Sequence, residues 1–443
     1  MAKQSRPARY VQIGLGHRSQ MFADAIAKTY RQTAVLTAVC DINQGRLQLR
    51  QQYLREKYDY PEVNLYPAKD FVKMIKEEKP DAVIVTTGPD VTHDEYIVKA
   101  MENGCDVITE KPMTIDAKRC QKIIDVSQKT GKKVRVTFNY RYSPPRSQLK
   151  ELLDSGLIGK VLSVDFEWAL NTAHGADYFR RWHRHKGNSG GLMVHKATHH
   201  FDLMNWWLGE KPVAVEAMGR RGFYGADTGV AKSLGLAKHS DRCHTCSLTK
   251  KCPFFLDLAA TPNLKSLYLD NEQYDGYYRD RCVFAKEMDI EDSMNVVVRY
   301  ESGTIMSYCL NAFLPWEGYR LSFNGTKGRL EHGTVESTYI AGDGRVQGGT
   351  VKGETYIRHY PAFSKPKDIR VRTGTGGHGG GDNVMLGDIF APGKTKDPLR
   401  RAAGIGDGSY SILVGVAANT SMKNGKMVEI DKLVHNIPKP SWE

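Results

Sequence analysis

The sequence predicts an α/β protein that opens on a doubly wound parallel sheet and continues into a second domain. Three observations carry this. The 443 residues exceed what one ordinary core organises. Apolar strands alternate with amphipathic helices from residue 10 to residue 142. A Gly-x-Gly turn stands between the first strand and the first helix.

The first strand is expected at residues 10–13, the turn at Gly14-Leu15-Gly16, and a helix with Met21, Phe22, Ala25 and Ile26 on its apolar side. Ser19 holds the third place of the G-x-G-x-x-G pattern and is small enough for close helix–strand packing. "AVLTAVCD" is a second strand ending in Asp41, where an acid meets a ribose 2′-hydroxyl. Ile42 follows, with no basic residue to hold a 2′-phosphate, so NAD is expected in preference to NADP. Helices follow at "QGRLQLRQQYLREKY" and "AKDFVKMIKEEK", and a strand at "DAVIVTTG". Then come the helix "THDEYIVKAMENG", the strand "CDVITE", the helix "TIDAKRCQKIIDVSQKTG" and the strand "KVRVTFNYRY". In such sheets ligands sit at the carboxyl ends of strands. Thr86-Thr87-Gly88, Glu110-Lys111 and Asn139-Tyr140-Arg141 occupy such ends.

The net charge is +13, but the basic residues are scattered and no nucleic-acid motif accompanies them. Nucleic acid is therefore excluded as the expected partner. The start carries no apolar leader and no stretch of 18 apolar residues occurs, so a cytoplasmic protein without a membrane span is expected.

"GLGHRS", Asp41, "TTGPDVTHDEYIVKAMENGCDVITEKPM" and "FNYRYSP" resemble the glucose–fructose oxidoreductase/inositol dehydrogenase (Gfo/Idh/MocA) family. "LSVDFEWA", "SGGLMVHKATHHFDLMNWWLG" and "FNGTKGRLEHG" extend the likeness into the second domain. The resemblance implies a Rossmann domain, taken as 1–142. It also implies a substrate and oligomerisation domain, 143–443, with a large, mostly antiparallel sheet that serves as the subunit interface of a homo-oligomer. The expected cofactor site comprises Gly14, Gly16, His17, Arg18, Asp41, Thr87, His93, Glu110, Lys111 and Asn139. Lys111 of the Glu-Lys-Pro motif is the expected catalytic residue, with His199 and His195 as its partners.

The segment 190–209 reads as one Gly-bounded helix, with His195, His199 and Asp202 on one face. His199 matches the family's histidine and Asp202 its second acid, but His195 stands where the family has its first acid, with Lys196 beside it. Six of the 14 histidines fall between 174 and 200, and "HGADYFRRWHRHKGNSGG" is expected to be a loop over the site. His195 and His199 are spaced either as two ligands of a divalent ion or as hydrogen-bonding groups of a sugar pocket. Expected substrate contacts are Tyr140, Arg141, His174, Arg181, His183, His195, Lys196 and His378.

Cys243, Cys246, Cys252 and Cys282 form a CxxC-centred set within an insertion at about 225–285. They predict a structural zinc site, with an iron–sulfur cluster as the rival. Cys40, Cys105 and Cys120 are expected as buried thiols. Near the end, "NVMLGDIF" and "GSYSILVGVAANTSMKNG" read as helices, and the Gly run 374–382 as a linker or a site-closing loop.

The expected function is NAD-dependent oxidation of a sugar, glycoside or polyol hydroxyl, the partner being a small carbohydrate. Two alternatives stand beside it: glycoside cleavage with NAD recycled through oxidation, elimination and re-reduction, and a dinucleotide-sensing protein without catalysis.

Overall fold

The computed structural model describes residues 6–337, 339–340, 346–347, 355–374, 380–393 and 396–443. Six parallel strands form the first sheet: β1 (Ala8–Ile13), β2 (Ala34–Asp41), β3 (Asn64–Pro67), β4 (Ala82–Val85), β5 (Asp106–Thr109) and β6 (Val134–Val136). Their order is β3-β2-β1-β4-β5-β6. The order reverses between β1 and β4, and this opens a crevice at the carboxyl ends of the central strands.

The central strands are largely apolar because helices cover both faces. Val83, Ile84 and Val85 of β4 are fully buried. The helix Ala117–Thr130 shows how the coverings form. The Asp116 side chain accepts from the Arg119 N–H at its start, and Gly131 closes it at φ +69°. Cys120, Ile123 and Ile124 point into the core. Each isoleucine contributes about 1.5–3 kcal/mol by leaving water. Cys40 and Cys105 are likewise buried.

The second sheet has nine strands and is mixed, mostly antiparallel. Its strands are β7 (Val161–Asn171), β8 (Pro212–Arg220), β9 (Ser293–Tyr300), β10 (Ile305–Leu314), β11 (Glu317–Gly325) and β12 (Gly328–Ser337), completed by three more strands after a separate two-stranded pair, β13 (Tyr339–Ile340) and β14 (Val346–Gln347). These are β15 (Tyr356–Pro361), β16 (Lys367–Ile369) and β17 (Val428–Glu429), of which β16 and β17 lie at the two edges. Only β7 and β10 pair in parallel. Met294, Val296 and Val298 alternate inward along β9. The helix Ile405–Asn424 packs on the inner face beside Thr198–Leu208.

Three element expectations need correction. The "KVRVTFNYRY" strand stops at Val136, and Asn139–Tyr142 is a tight 3₁₀ turn. The supposed loop after β7 is helical, with Thr172–Arg180 capped by the Asn171 side chain, then short turns at Trp182–Arg184 and Lys186–Ser189. The histidine helix is two helices, Gly191–His195 and Thr198–Leu208, broken at Lys196-Ala197. The insertion carries short helices, among them Val230–Ser233, Pro262–Leu267 and Glu272–Asp275.

Candidate active site

The dinucleotide turn is built on close backbone approach. Gly14 adopts φ +85°, and a Cβ there would lie 2.5 Å from Thr87 Cα. Asp41 reaches back to the turn, accepting from Leu15 N–H at 2.6 Å and from Asn43 N–H at 2.7 Å. Ser19, in the third glycine place, is buried and accepts from Arg50 at 2.8 Å. Arg18 ties the turn to two other elements. Its guanidinium donates to Glu110 at 3.0 Å and to Asp382 at 3.0 and 3.2 Å. Asn139 donates to the same Asp382 at 2.7 Å. The Gly-rich segment thus supplies a carboxylate to the site edge, while His378 lies outside the described residues.

Lys111 stands at the carboxyl end of β5, after Glu110 and before Pro112. Its ammonium donates to the His195 carbonyl at 3.3 Å. The helix break frees that carbonyl, because His199 N–H turns to Lys196 O instead. Burial lowers the Lys111 pKa to about 8, and the charges of Lys196 and Arg18 act the same way against the opposing pull of Asp90 and Glu110.

Asp90 is the residue that sequence reasoning missed. It begins the short turn after β4 and contacts His195 Nδ1 in a short hydrogen bond across the two domains. Burial raises the Asp90 pKa well above the carboxylate range and lowers that of His195 well below the imidazole range. Both shifts favour a neutral, hydrogen-bonded pair. The acid that the histidine helix lacks is therefore supplied by the first domain. Its position beyond a strand end was the signal available in the sequence.

The other wall is aromatic and basic. Tyr140 stacks on His199 with centroids 4.2 Å apart, and His199 meets Phe138 edge-on at 6.0 Å. Lys196 donates to the Tyr140 hydroxyl at 3.4 Å and lies 5.1 Å from the Trp168 ring centroid. His183 stacks on Trp182 at 3.6 Å and abuts His195 at 4.2 Å. His174 bonds Glu317 at 2.7 Å and the Tyr178 hydroxyl at 3.0 Å.

Three assignments do not stand. Arg141 is fully buried and pairs with Asp202 at 2.6 Å and Asp407 at 2.8 Å, so it braces the core instead of meeting substrate. His93 places its ring nitrogens 2.8 Å from Pro112 O and 2.9 Å from Thr87 O and links two loops instead of touching cofactor. His195 and His199 do not form a divalent-ion pair, since the first turns to Asp90 and the second stacks on Tyr140.

The insertion gathers Cys243, Cys246, Cys252 and Cys282 around one small apolar pocket with His239. Cys246 and Cys282 each accept from the N–H two residues on, at 3.4 Å, and Cys243 accepts from Leu256 N–H at 3.5 Å. Burial raises the pKa of Cys243 and Cys252, and that of Cys282 to about 11. Among the described residues no group of three or more His, Cys, Asp or Glu is arranged to hold a metal ion. No helix among them is long and apolar enough to cross a membrane.

A parallel sheet with a phosphate-type turn, joined to a large mixed sheet around a half-buried lysine, defines a nicotinamide-dependent oxidoreductase architecture. Comparisons agree. The family model for the NAD-binding Rossmann fold of this oxidoreductase family matches residues 8–138, and that for its C-terminal α/β domain matches 150–430. A Bacillus subtilis (strain 168) protein described as an oxidoreductase, YteT, is 38% identical over 95% of this chain and 97% of its own length. An inositol 2-dehydrogenase/D-chiro-inositol 3-dehydrogenase of Lactiplantibacillus plantarum is 27% identical over 45% of this chain and 51% of its own. Among solved structures, an aldose-aldose oxidoreductase from Caulobacter crescentus superposes with TM-score 0.61 at 18% identity, over 96% of this chain and all of that one. This chain belongs to the Gfo/Idh/MocA family and is an NAD-dependent oxidoreductase.

Proposed function

We propose that the chain oxidises a hydroxyl of a sugar, glycoside or polyol, with Lys111 as the group that takes the hydroxyl proton. The observation that carries this is Lys111 at the end of β5, half-buried opposite the His195 carbonyl with its pKa lowered to about 8. NAD, when bound, accepts the hydride. Such a transfer needs a positioned base for the proton released in the same step. The place of Lys111 beyond a strand end and its lowered pKa support this role. Asp90 and His195 receive or return the proton, and Tyr140, with Lys196 on its hydroxyl and His199 on its ring face, positions the substrate. The names of the matched relatives, inositol and aldose oxidoreductases, support this substrate class.

Replacing Lys111 by Ala tests the reading. Turnover should fall by about 10²–10⁴-fold while NAD binding persists. Unchanged turnover would sink it.

A second reading rests on Asp90–His195. With Lys111, this pair gives the cleft two separate proton-handling groups, as oxidation, elimination and re-reduction of a glycoside requires. Aglycone release without steady NADH accumulation favours it, and NADH accumulating in step with substrate consumption rules it out.

Two further expectations belong here. The four insertion cysteines share one apolar pocket and are proposed as a structural zinc site whose ligand array closes only when the ion binds, supported by the N–H bonds to three of their sulfurs. Elemental analysis giving no zinc or iron, with four additional reactive thiols, overturns it. The outer face of the second sheet exposes Met218, Val297 and Ile305, and is proposed as the contact between copies of the chain. Light scattering at monomer mass would refute that.

A further inference from the structure

The insertion between β8 and β9 reaches back across the cleft to the dinucleotide turn. The Tyr268 hydroxyl accepts the His17 N–H at 3.0 Å, and Asn263 Nδ2 lies 3.0 Å from His17 Nδ1. Asn43 donates to the Asn271 carbonyl at 2.9 Å. Arg46 pairs with Asp275 at 2.5 Å and, at the same time, with Asp41 at 3.1 Å. The fit is close. A Cβ on Gly16 would lie 3.4 Å from the Tyr268 hydroxyl, and one on Gly45 would collide with the Asn271 side chain at 1.7 Å.

These partners are the ones a dinucleotide uses. Asp41 is placed for the ribose, and the N–H groups after Gly16 are placed for the pyrophosphate. The insertion therefore lies on the adenosine and pyrophosphate half of the cleft, not beside it. Positive charge gathers at the same point. Burial lowers the His17 pKa, and Arg279, Arg181 and Arg18 add to that effect. Arg279 comes from the insertion and is held by Asp177 at 2.8 and 3.1 Å. Arg18 is satisfied by Glu110 and Asp382.

The base of this segment is firmly tied. Cys252 precedes it and Cys282 follows it, both lining the apolar cysteine pocket. Asp280 is fully buried, accepting from the Arg242 guanidinium at 3.1 Å and from His244 N–H at 2.7 Å. Arg242 also pairs with Glu272 at 2.6 Å. The residues that touch the dinucleotide turn are thus mounted on an ordered base.

We propose that residues 262–279 are a clamp over bound NAD, with Tyr268 bridging the His17 N–H and a pyrophosphate oxygen, and Arg181 and Arg279 supplying the counter-charge. NAD is then retained through many turnovers instead of exchanging as a co-substrate. The proposal rests on the dinucleotide turn being the NAD site. Tyr268 can serve as the bridge because a phenol accepts one hydrogen bond and donates another. The Asp275–Arg46 pair latches the segment to the helix that follows Asp41.

The test is exchange of NAD from the full chain. The protein is loaded with radiolabelled NAD, freed of excess by gel filtration, and chased with unlabelled NAD. The intact chain should keep its label through the column and lose it slowly. Tyr268→Phe and Asp275→Asn should each release it about 10- to 100-fold faster, as expected for loss of a charge-assisted bond. Wild-type exchange complete within mixing, or variants that exchange no faster than wild type, overturns the clamp. A stripped chain that takes up no label overturns the cofactor site itself, a different failure from rapid exchange. Melting curves of both variants within a few degrees of wild type separate loss of the clamp from loss of the fold. Tyr268→Phe keeps the ring and removes only the hydroxyl, so it remains informative if Asp275→Asn fails to fold.

Discussion

The two walls of the cleft each carry a lysine, half-buried Lys111 and buried Lys196, and treat it in opposite ways. On the first-domain wall, burial lowers the pKa of Lys111 to about 8, outweighing the opposing pull of Asp90 and Glu110. On the second-domain wall, burial also opposes the charge of Lys196. There the surrounding Tyr140, Tyr178, Glu317 and Glu336 outweigh it and hold the pKa above the ordinary range. The same residue type thus has its charged form disfavoured in one place and favoured in the other. The difference lies in whether burial or the neighbouring acids and phenols prevails.

The largest test of this contrast is Lys111→Ala against Lys196→Met. The first should cost about 10²–10⁴-fold in kcat. The second should raise KM by about tenfold with a smaller loss in kcat, as removal of a positioning contact does. Equal losses in kcat would erase the distinction between the walls.

A third cation supplies the contrast with the core. Arg141→Met strands Asp202 and Asp407, and should destabilise the fold by about 3–5 kcal/mol in denaturant titration. Burial raises the Asp202 pKa to about 7 even with Arg141 present, so part of that loss is relieved as the acid takes up a proton. A variant as stable as wild type, but with raised KM, would return Arg141 to the substrate.

Asp90→Asn removes the partner of His195. A loss of roughly 2 kcal/mol, about thirtyfold in kcat/KM, is expected. Wild-type kinetics would show that the pair takes no part in turnover.

The smallest effect is the most specific. Lys111 accepts a proton only when neutral, and its neutral fraction grows as pH rises through about 8. Activity should therefore climb below pH 8 and level off above it. The charge of Lys196 lowers the Lys111 pKa, so Lys196→Met should move that limb to higher pH. Asp90 raises it, so Asp90→Asn should move the limb to lower pH. A limb that stays put in both variants would mean that the titrating group is not Lys111.

Much of this was legible in the chain. The Gly14 turn, Asp41 and Lys111 announce themselves because a doubly wound sheet places ligand groups at strand ends, and strand ends can be counted along a sequence. Arg141 misled for the same reason. It follows β6 at a ligand-type position, but Asp407, 266 residues later, claims its charge. Asp90 was present in a quoted motif yet gained its meaning only from His195, 105 residues away.

By itself the sequence determined the parallel sheet, the cofactor turn, the position of Lys111 and the cysteine set, since each depends on neighbours within one element or one motif. Only the tertiary structure decided that the histidine helix breaks at Lys196, that Asp90 meets His195, and that the cysteine insertion reaches the Gly14–Gly16 turn. Those outcomes depend on groups from distant segments competing for the same hydrogen bonds and charges, and local periodicity carries no record of that competition.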